Sequence, residues 1–317
     1  MTDNPAPGPD AAADRERLRR VREMMAAGDY DGAAAAAADL ARAPELRPIA
    51  QRLVTACRYA MELRFQRPAE ATRMVTGLLE DIGSADHVIP ETTGGPQVVE
   101  SPGSDRIVFV FAGADQAPFA HVVVQSWLRR RRCHAVYVRD PRSQFSIAGL
   151  PGVAPDLAGC MTGMRRIADG LGATRRYCLG YSANGYSALR YGVGIAAEAV
   201  LTFSPVTTLD LKPDVRDRYP MIRRLHQENP QLVDDVLPHY RRAERPPRLV
   251  IVYGAENRAD RWAAQRMGVL PGVRLVPVPG LADHDSMGVC MVSRRFGPLL
   301  DEMFGPSEGP ADPAAAG

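Results

Sequence analysis

Residues 177–186, Tyr-Cys-Leu-Gly-Tyr-Ser-Ala-Asn-Gly-Tyr, leave the chain few conformations. A short apolar run stops at Gly180-Tyr181-Ser182, and the small-residue segment 183–191 then reads as a helix. A strand that turns directly into a helix is so tight that residues flanking the turn must be small. A serine at its tip stands clear of the sheet and faces the free N–H groups and positive dipole end of the new helix. Gly180 fills the upstream small position and Gly185 a downstream one, while Asn184 stands where the pattern G-x-S-x-G has its second glycine.

The chain beyond residue 104 gives this turn a setting. Apolar strand candidates at 107–111, 134–138, 177–179, 199–203, 249–253 and 274–278 alternate with helical patterns. The helical patterns fall at 117–128, 156–170, 183–191, 260–267 and 289–303, with a mixed region at 214–242. Such alternation predicts an α/β fold, a mostly parallel sheet with helices on both faces, whose chemistry collects at the carboxyl ends of the strands. Upstream, residues 13–88 read as helical, and 89–104, rich in Gly, Pro, Thr and Ser, read as a linker into a domain at 105–304. Residues 1–12 and 305–317 have the composition of disordered tails. Within the helical part, residues 26–40 resemble the second half of a tetratricopeptide repeat, with a fainter echo at 67–79. Repeats of this kind need about three units to be stable alone, so a short hairpin module is expected.

Composition excludes several functions. A net charge of +2 offers no electrostatic attraction for nucleic acid or an anionic membrane, and the basic run 129–132 suits the end of a helix. No segment approaches a membrane span, and the polar, proline-rich start is unlike a secretory leader. Five scattered cysteines without a C-x-x-C pair read as buried thiols in a reducing cytoplasm. No Walker-type phosphate loop, dinucleotide fingerprint or paired-histidine metal motif is present, so neither cofactor nor metal is expected.

The predicted strand ends carry, in order, Gly113 and Ala114; Arg139 and Asp140; Ser182; Ser204 and Pro205; Glu256 to Asp260; and Asp283, His284 and Asp285. Serine, acid and histidine therefore come after successive strands. In this order and at these positions, residues 105–304 resemble an α/β-hydrolase, in a compact version beginning near the third strand of that family's sheet. The elbow segment, together with Phe203-Ser204-Pro205, is similar to esterase-like bacterial hydrolases of unassigned substrate. The resemblance implies Ser182 as nucleophile, His284 as base, and an oxyanion hole from the N–H of Ala183 and the loop at Gly113 and Ala114.

For the acid, Asp260 is the expected residue, with Glu256 as the alternative and Asp210 as a third candidate; for Asp260 the competing structural role is a helix N-cap. Arg139 and Asp140 either orient a polar substrate or pair within neighbouring loops. The segment 207–245 carries many arginines among Tyr219, Leu225, Leu232 and Tyr240, and reads as a helical cap with a solvated charged face. Two functions remain open. One is a serine esterase acting on a small-molecule or glycan-linked acyl substrate. The other is an inactive hydrolase-like platform that binds a protein partner through its N-terminal helices.

Overall fold

The computed structural model describes residues 9–44, 46, 47, 49, 50, 53, 54, 57, 95–112, 121–217 and 219–305. The fainter repeat echo at 67–79, Gly113, Ala114 and the C-terminal tail from residue 306 lie outside them. The chain divides into two compact units. One comprises Met1–Thr93, Asp115–Arg132 and Met287–Arg295, and the other Gly94–Ala114, Cys133–Ser286 and Phe296–Gly317.

In the first unit, α1 (Pro9–Ala26) and α2 (Tyr30–Leu40) pack on each other through Val21 and Met25 on one side and Ala33, Ala37 and Leu40 on the other. The alanines permit a close helix approach, and Asp29 starts α2 by accepting the Gly32 N–H. The one complete helical pair among the described residues does not make a repeat array, so the tetratricopeptide likeness is not supported. This unit also holds α3 (His121–Arg130), whose last turn is basic as expected.

The second unit is built on a seven-stranded sheet in the order β1-β3-β2-β4-β5-β6-β7. Its strands are β1 (Gln97–Val99), β2 (Arg106–Ala112), β3 (His134–Arg139), β4 (Arg175–Tyr181), β5 (Ala199–Phe203), β6 (Arg248–Gly254) and β7 (Val273–Val278). All neighbours are parallel except β1, which runs antiparallel to β3. The α/β fold with a mostly parallel sheet is as expected. The extra edge strand is not: Gln97–Val99 lies inside the stretch read as linker, so the sheet starts one strand earlier.

The central strands are near-continuous apolar runs because both their faces are covered. Tyr137, Val110, Leu179, Leu201 and Val250 lie side by side across five strands in one register row, all buried. One face of the sheet, with Phe109, Phe111, Cys178 and Ile251, packs under α4 (Leu157–Gly170), α5 (Ser182–Gly194) and α9 (Arg258–Met267). The opposite face receives α11 (Phe296–Phe304), where Phe296 stacks on Phe203 and Phe304 meets Tyr177 edge-on. The C-terminal helical pattern is two helices, α10 (Ser286–Val292) and α11, parted where Arg294 adopts a positive φ of 58°. Between β5 and β6 lie α6 (Pro213–Arg216), α7 (Pro220–Glu228), a 3-10 turn (Pro230–Leu232) and α8 (Val236–Arg242).

Polar strand starts are tied across the sheet. Arg175 donates three hydrogen bonds of 3.0–3.1 Å to the Glu198 carboxylate, and the Tyr177 hydroxyl donates a fourth at 2.8 Å. Burial pushes the Glu198 carboxyl upward, but the bonds from Arg175 and Tyr177 outweigh it and hold the group below its ordinary value. A carboxyl depressed by folding stabilises above the ordinary carboxylate range and loses that contribution as pH falls through its folded value. Glu198→Gln is therefore expected to melt below the wild type at neutral pH, with the gap closing on acidification. A gap that does not change with pH in thermal melts would remove the ionic contribution.

Candidate active site

The turn between β4 and α5 sets the site. Tyr181 is extended at φ −134°, and Ser182 then takes a left-handed φ of 55°, a strained conformation for a residue with a side chain. The turn closes because Gly180 has no Cβ. A Cβ there would lie 2.2 Å from the Asn184 carbonyl oxygen and 2.9 Å from the Ala188 Cβ. Gly185 serves the next contact, since a Cβ on it would come within 2.8–2.9 Å of Pro205. The backbone of residue 184 is what crowds Gly180, so a half-buried asparagine fits where the pattern has a glycine. The Val206 N–H donates to the Ser182 carbonyl at 3.1 Å and ties the loop after β5 to the turn.

His284 stands in the loop after β7. Its Nε2 lies 2.8 Å from Ser182 Oγ and its Nδ1 2.7 Å from Asp260 Oδ1. The imidazole is 42% exposed and the carboxylate 3%, so the line runs from solvent into the protein interior. Asp260 lies in the first turn of α9, where the helix dipole favours a negative charge. It is not the N-cap. Asn257 is, its Oδ1 accepting the N–H groups of Ala259 and Asp260 at 3.1 Å. That cap leaves one oxygen of Asp260 on the histidine, while Oδ2 is buried without a hydrogen-bond partner among the described residues.

The rival acids lie elsewhere. Glu256 is exposed and accepts the Gly280 N–H at 3.1 Å, bracing the β7 loop, and Asp210 is exposed after β5. Neither is hydrogen-bonded to His284 among the described residues. Ala183 sits in the first turn of α5, whose N–H groups have no acceptor within the helix. Gly113 and Ala114 fall outside the described residues.

Two supports carry no signal in the sequence. The Tyr181 hydroxyl donates to the His284 carbonyl at 3.1 Å, and its ring lies 5.4 Å from the imidazole. Fully buried Ser204, at φ 42°, and Ser286 share a hydrogen bond of 2.8 Å, which links the end of β5 to the residue two after His284. These links join positions 82 and 103 residues apart, so no local pattern signals them. Asp140 resolves to a loop organiser: it is buried and accepts the N–H groups of Arg142, Gln144 and Ser146 at 3.1, 2.6 and 2.7 Å. In the cap, Arg224 donates to the Arg142 carbonyl at 2.7 Å and His226 bonds the Leu209 carbonyl at 2.8 Å, whereas Arg223, Arg241 and Arg242 face solvent. Among the described residues no helix is long and apolar enough to cross a membrane, and no cluster of three His, Cys, Asp or Glu residues is arranged to hold a metal.

No protein-family model matches the chain, and no curated protein matches it in sequence. Solved structures do. The chain is similar to the capsule O-acetyltransferase of Neisseria meningitidis serogroup A, at 14% identity over 66% of this chain and 92% of that one, TM-score 0.47. It is also similar to esterase 2 of Thermogutta terrifontis, at 20% identity over 67% and 96%, TM-score 0.44. A third is an alpha/beta hydrolase enzyme from the sediment metagenome of the Mar Chica lagoon, Morocco, at 17% identity over 69% and 98%, TM-score 0.46. At these scores, the reading of its site rests on its own geometry.

Gly180→Ala is expected to destabilise the fold by about 1–3 kcal/mol in urea titration, because backbone must move to admit the methyl group. Asn184→Ala, at a half-buried position, is expected to cost no more than about 0.5 kcal/mol.

Proposed function

We propose that the chain is a serine hydrolase that cleaves an ester or thioester of a small-molecule or glycan-linked acyl group. The line Asp260–His284–Ser182, with successive separations of 2.7 and 2.8 Å, carries this reading. A serine hydroxyl is a weak nucleophile, and an imidazole at hydrogen-bond distance removes its proton as the oxygen attacks.

In the first half-reaction Ser182 Oγ bonds to the acyl carbon while its proton passes to His284 Nε2. The carbonyl π electrons move onto oxygen, and the resulting oxyanion is held by the Ala183 N–H and by the loop at Gly113 and Ala114. The tetrahedral adduct collapses, the bond to the alcohol or thiol breaks, and His284 returns the proton to the leaving group. Water, deprotonated by the same histidine, then attacks the acyl-enzyme and releases the acid and free Ser182. Asp260 accepts the hydrogen bond from the Nδ1–H of His284, fixes its tautomer and, remaining ionised, stabilises its cation. Partial exposure of His284 leaves room for water and substrate at one end, and burial of Asp260 keeps the other end from solvent.

The thiols are not candidates for the nucleophile. All five cysteines are free and buried. Burial pushes the Cys57 thiol up to about 12 and raises Cys160 and Cys178 as well, so these three are not thiolates at neutral pH. Thiols kept this way suit a reducing compartment such as the cytoplasm.

A fluorophosphonate probe tests the reading. Wild type is expected to be labelled, and Ser182→Ala and His284→Ala to remain unlabelled with unchanged circular dichroism. Absence of labelling in folded wild type would favour an inert platform. With a hydrolysed p-nitrophenyl ester, Asp260→Asn is expected to lower turnover by roughly 10²–10⁴-fold, and Glu256→Gln to leave it within about threefold. The reverse order would reassign the acid.

A further inference from the structure

Beside the elbow helix, and lined by none of Ser182, His284 or Asp260, lies a cavity of about 880 Å³. Its two walls are the loop after β3 and the segment around the 3-10 turn. Both are clamped to α5. On the first wall, Ser143, Phe145 and Ser146 adopt positive φ of 54°, 58° and 59°, held by the three N–H bonds to Asp140. Ser187 and Tyr191 of α5 donate to the Phe145 and Ser146 carbonyls at 2.9 and 2.6 Å. On the second wall, Asp234 accepts Arg190 of α5 at 2.8 Å and His239 at 2.8–2.9 Å. These strained residues do not line the cavity themselves; locked by buried bonds, they hold their neighbours Gln144 and Ile147, which do, in one arrangement.

The lining charges select the class of ligand. Arg142 and Arg190 are matched in number by Asp156 and Asp234. Burial pushes the Asp234 carboxyl upward, and the bonds from His239 and Arg190 more than offset it, so the group is ionised and cancels Arg190. Arg142 donates to the Ala148 carbonyl at 3.2 Å, while Asp156 caps α4. An anion entering would meet two carboxylates and no uncommitted pair of cations. What the cavity offers instead is carboxamides, those of Gln144, Asn229 and Gln231. The Gln144 side chain has no hydrogen bond among the described residues, and the contact between Gln231 and Asn229 is a long 3.5 Å. A carboxamide donates and accepts at once, as does a hydroxyl, and apolar Ile147, Leu232 and Val233 beside it suit C–H faces. Among the described residues no Phe, Tyr or Trp lines the cavity, and the one aromatic ring there, the His239 imidazole, is committed to Asp234.

We propose that this cavity is a binding site for a neutral, hydroxyl-rich ligand, a saccharide segment, separate from the serine line and independent of its chemistry. The full-length protein, as wild type and as Ser182→Ala, is applied to an array of neutral hexose and N-acetylhexosamine oligosaccharides beside sialylated and phosphorylated counterparts. Both forms are expected to retain neutral oligosaccharides equally. Asn229→Ala/Gln231→Ala is expected to weaken retention at least tenfold. Gln144→Ala, at a half-buried position, should weaken it too, and a thermal melt of each variant verifies the fold. Three results would each overturn the proposal: no neutral oligosaccharide held by folded wild type, retention of anionic glycans alone, or retention unchanged in the folded variants. A folded wild type that takes no fluorophosphonate label yet still binds saccharide would overturn the hydrolase reading and leave this one standing.

Discussion

The close approach of the Asn184 backbone to Gly180 is the contact on which the site depends. Because no Cβ intervenes, β4 can turn into α5 within one residue, and that residue, Ser182, has to take a left-handed conformation. The same turn lays α5 across β2, β4 and β5, which places Gly185 against Pro205 and closes the core on that face. Backbone strain at Ser182 and again at Ser204 is balanced by the packing of the parallel sheet beneath them. Local strain and global burial are therefore two sides of one arrangement.

Around that turn, polar groups are arranged by depth. The carboxylate of Asp260 is buried at a helix start, the imidazole is half out, and the hydroxyl lies between strand end and helix. A buried carboxylate with one oxygen engaged and the other unpartnered among the described residues is costly, and it holds firmly to the one donor it has. Tyr181 and the Ser204–Ser286 pair fix the backbone at His284 and two residues after it, so the imidazole is held by more than its own loop.

The central strands could be read from the sequence because parallel strands buried on both faces are continuous apolar runs. Their boundaries could not, because Arg175, Arg176 and Arg248 extend strands into polar residues whose partners, Glu198, Asp169 and the Glu302 and Met303 carbonyls, lie far along the chain or in another element. Strand β1 escaped because three half-exposed residues in a Gly/Pro-rich stretch carry no periodicity. The break near Arg294 is marked in the sequence only by Gly297 and Pro298, which fall in the first turn of α11 and read as part of one continuous helical pattern. Ser182 and His284 were legible as residues at strand ends. The choice of Asp260 over Glu256 turned on which residue caps α9, and that depends on Asn257, a residue whose own type suits either role.

The most direct test of this account is the proton between Asp260 and His284. In one-dimensional proton NMR of the full-length protein, a bridging Nδ1 proton resonates far downfield of the amide envelope. The account predicts such a resonance in wild type and in Ser182→Ala, and its loss in Asp260→Asn and His284→Ala. A folded wild type without that resonance across the pH range, or one that keeps it in Asp260→Asn, would contradict the line of residues on which the proposed function stands.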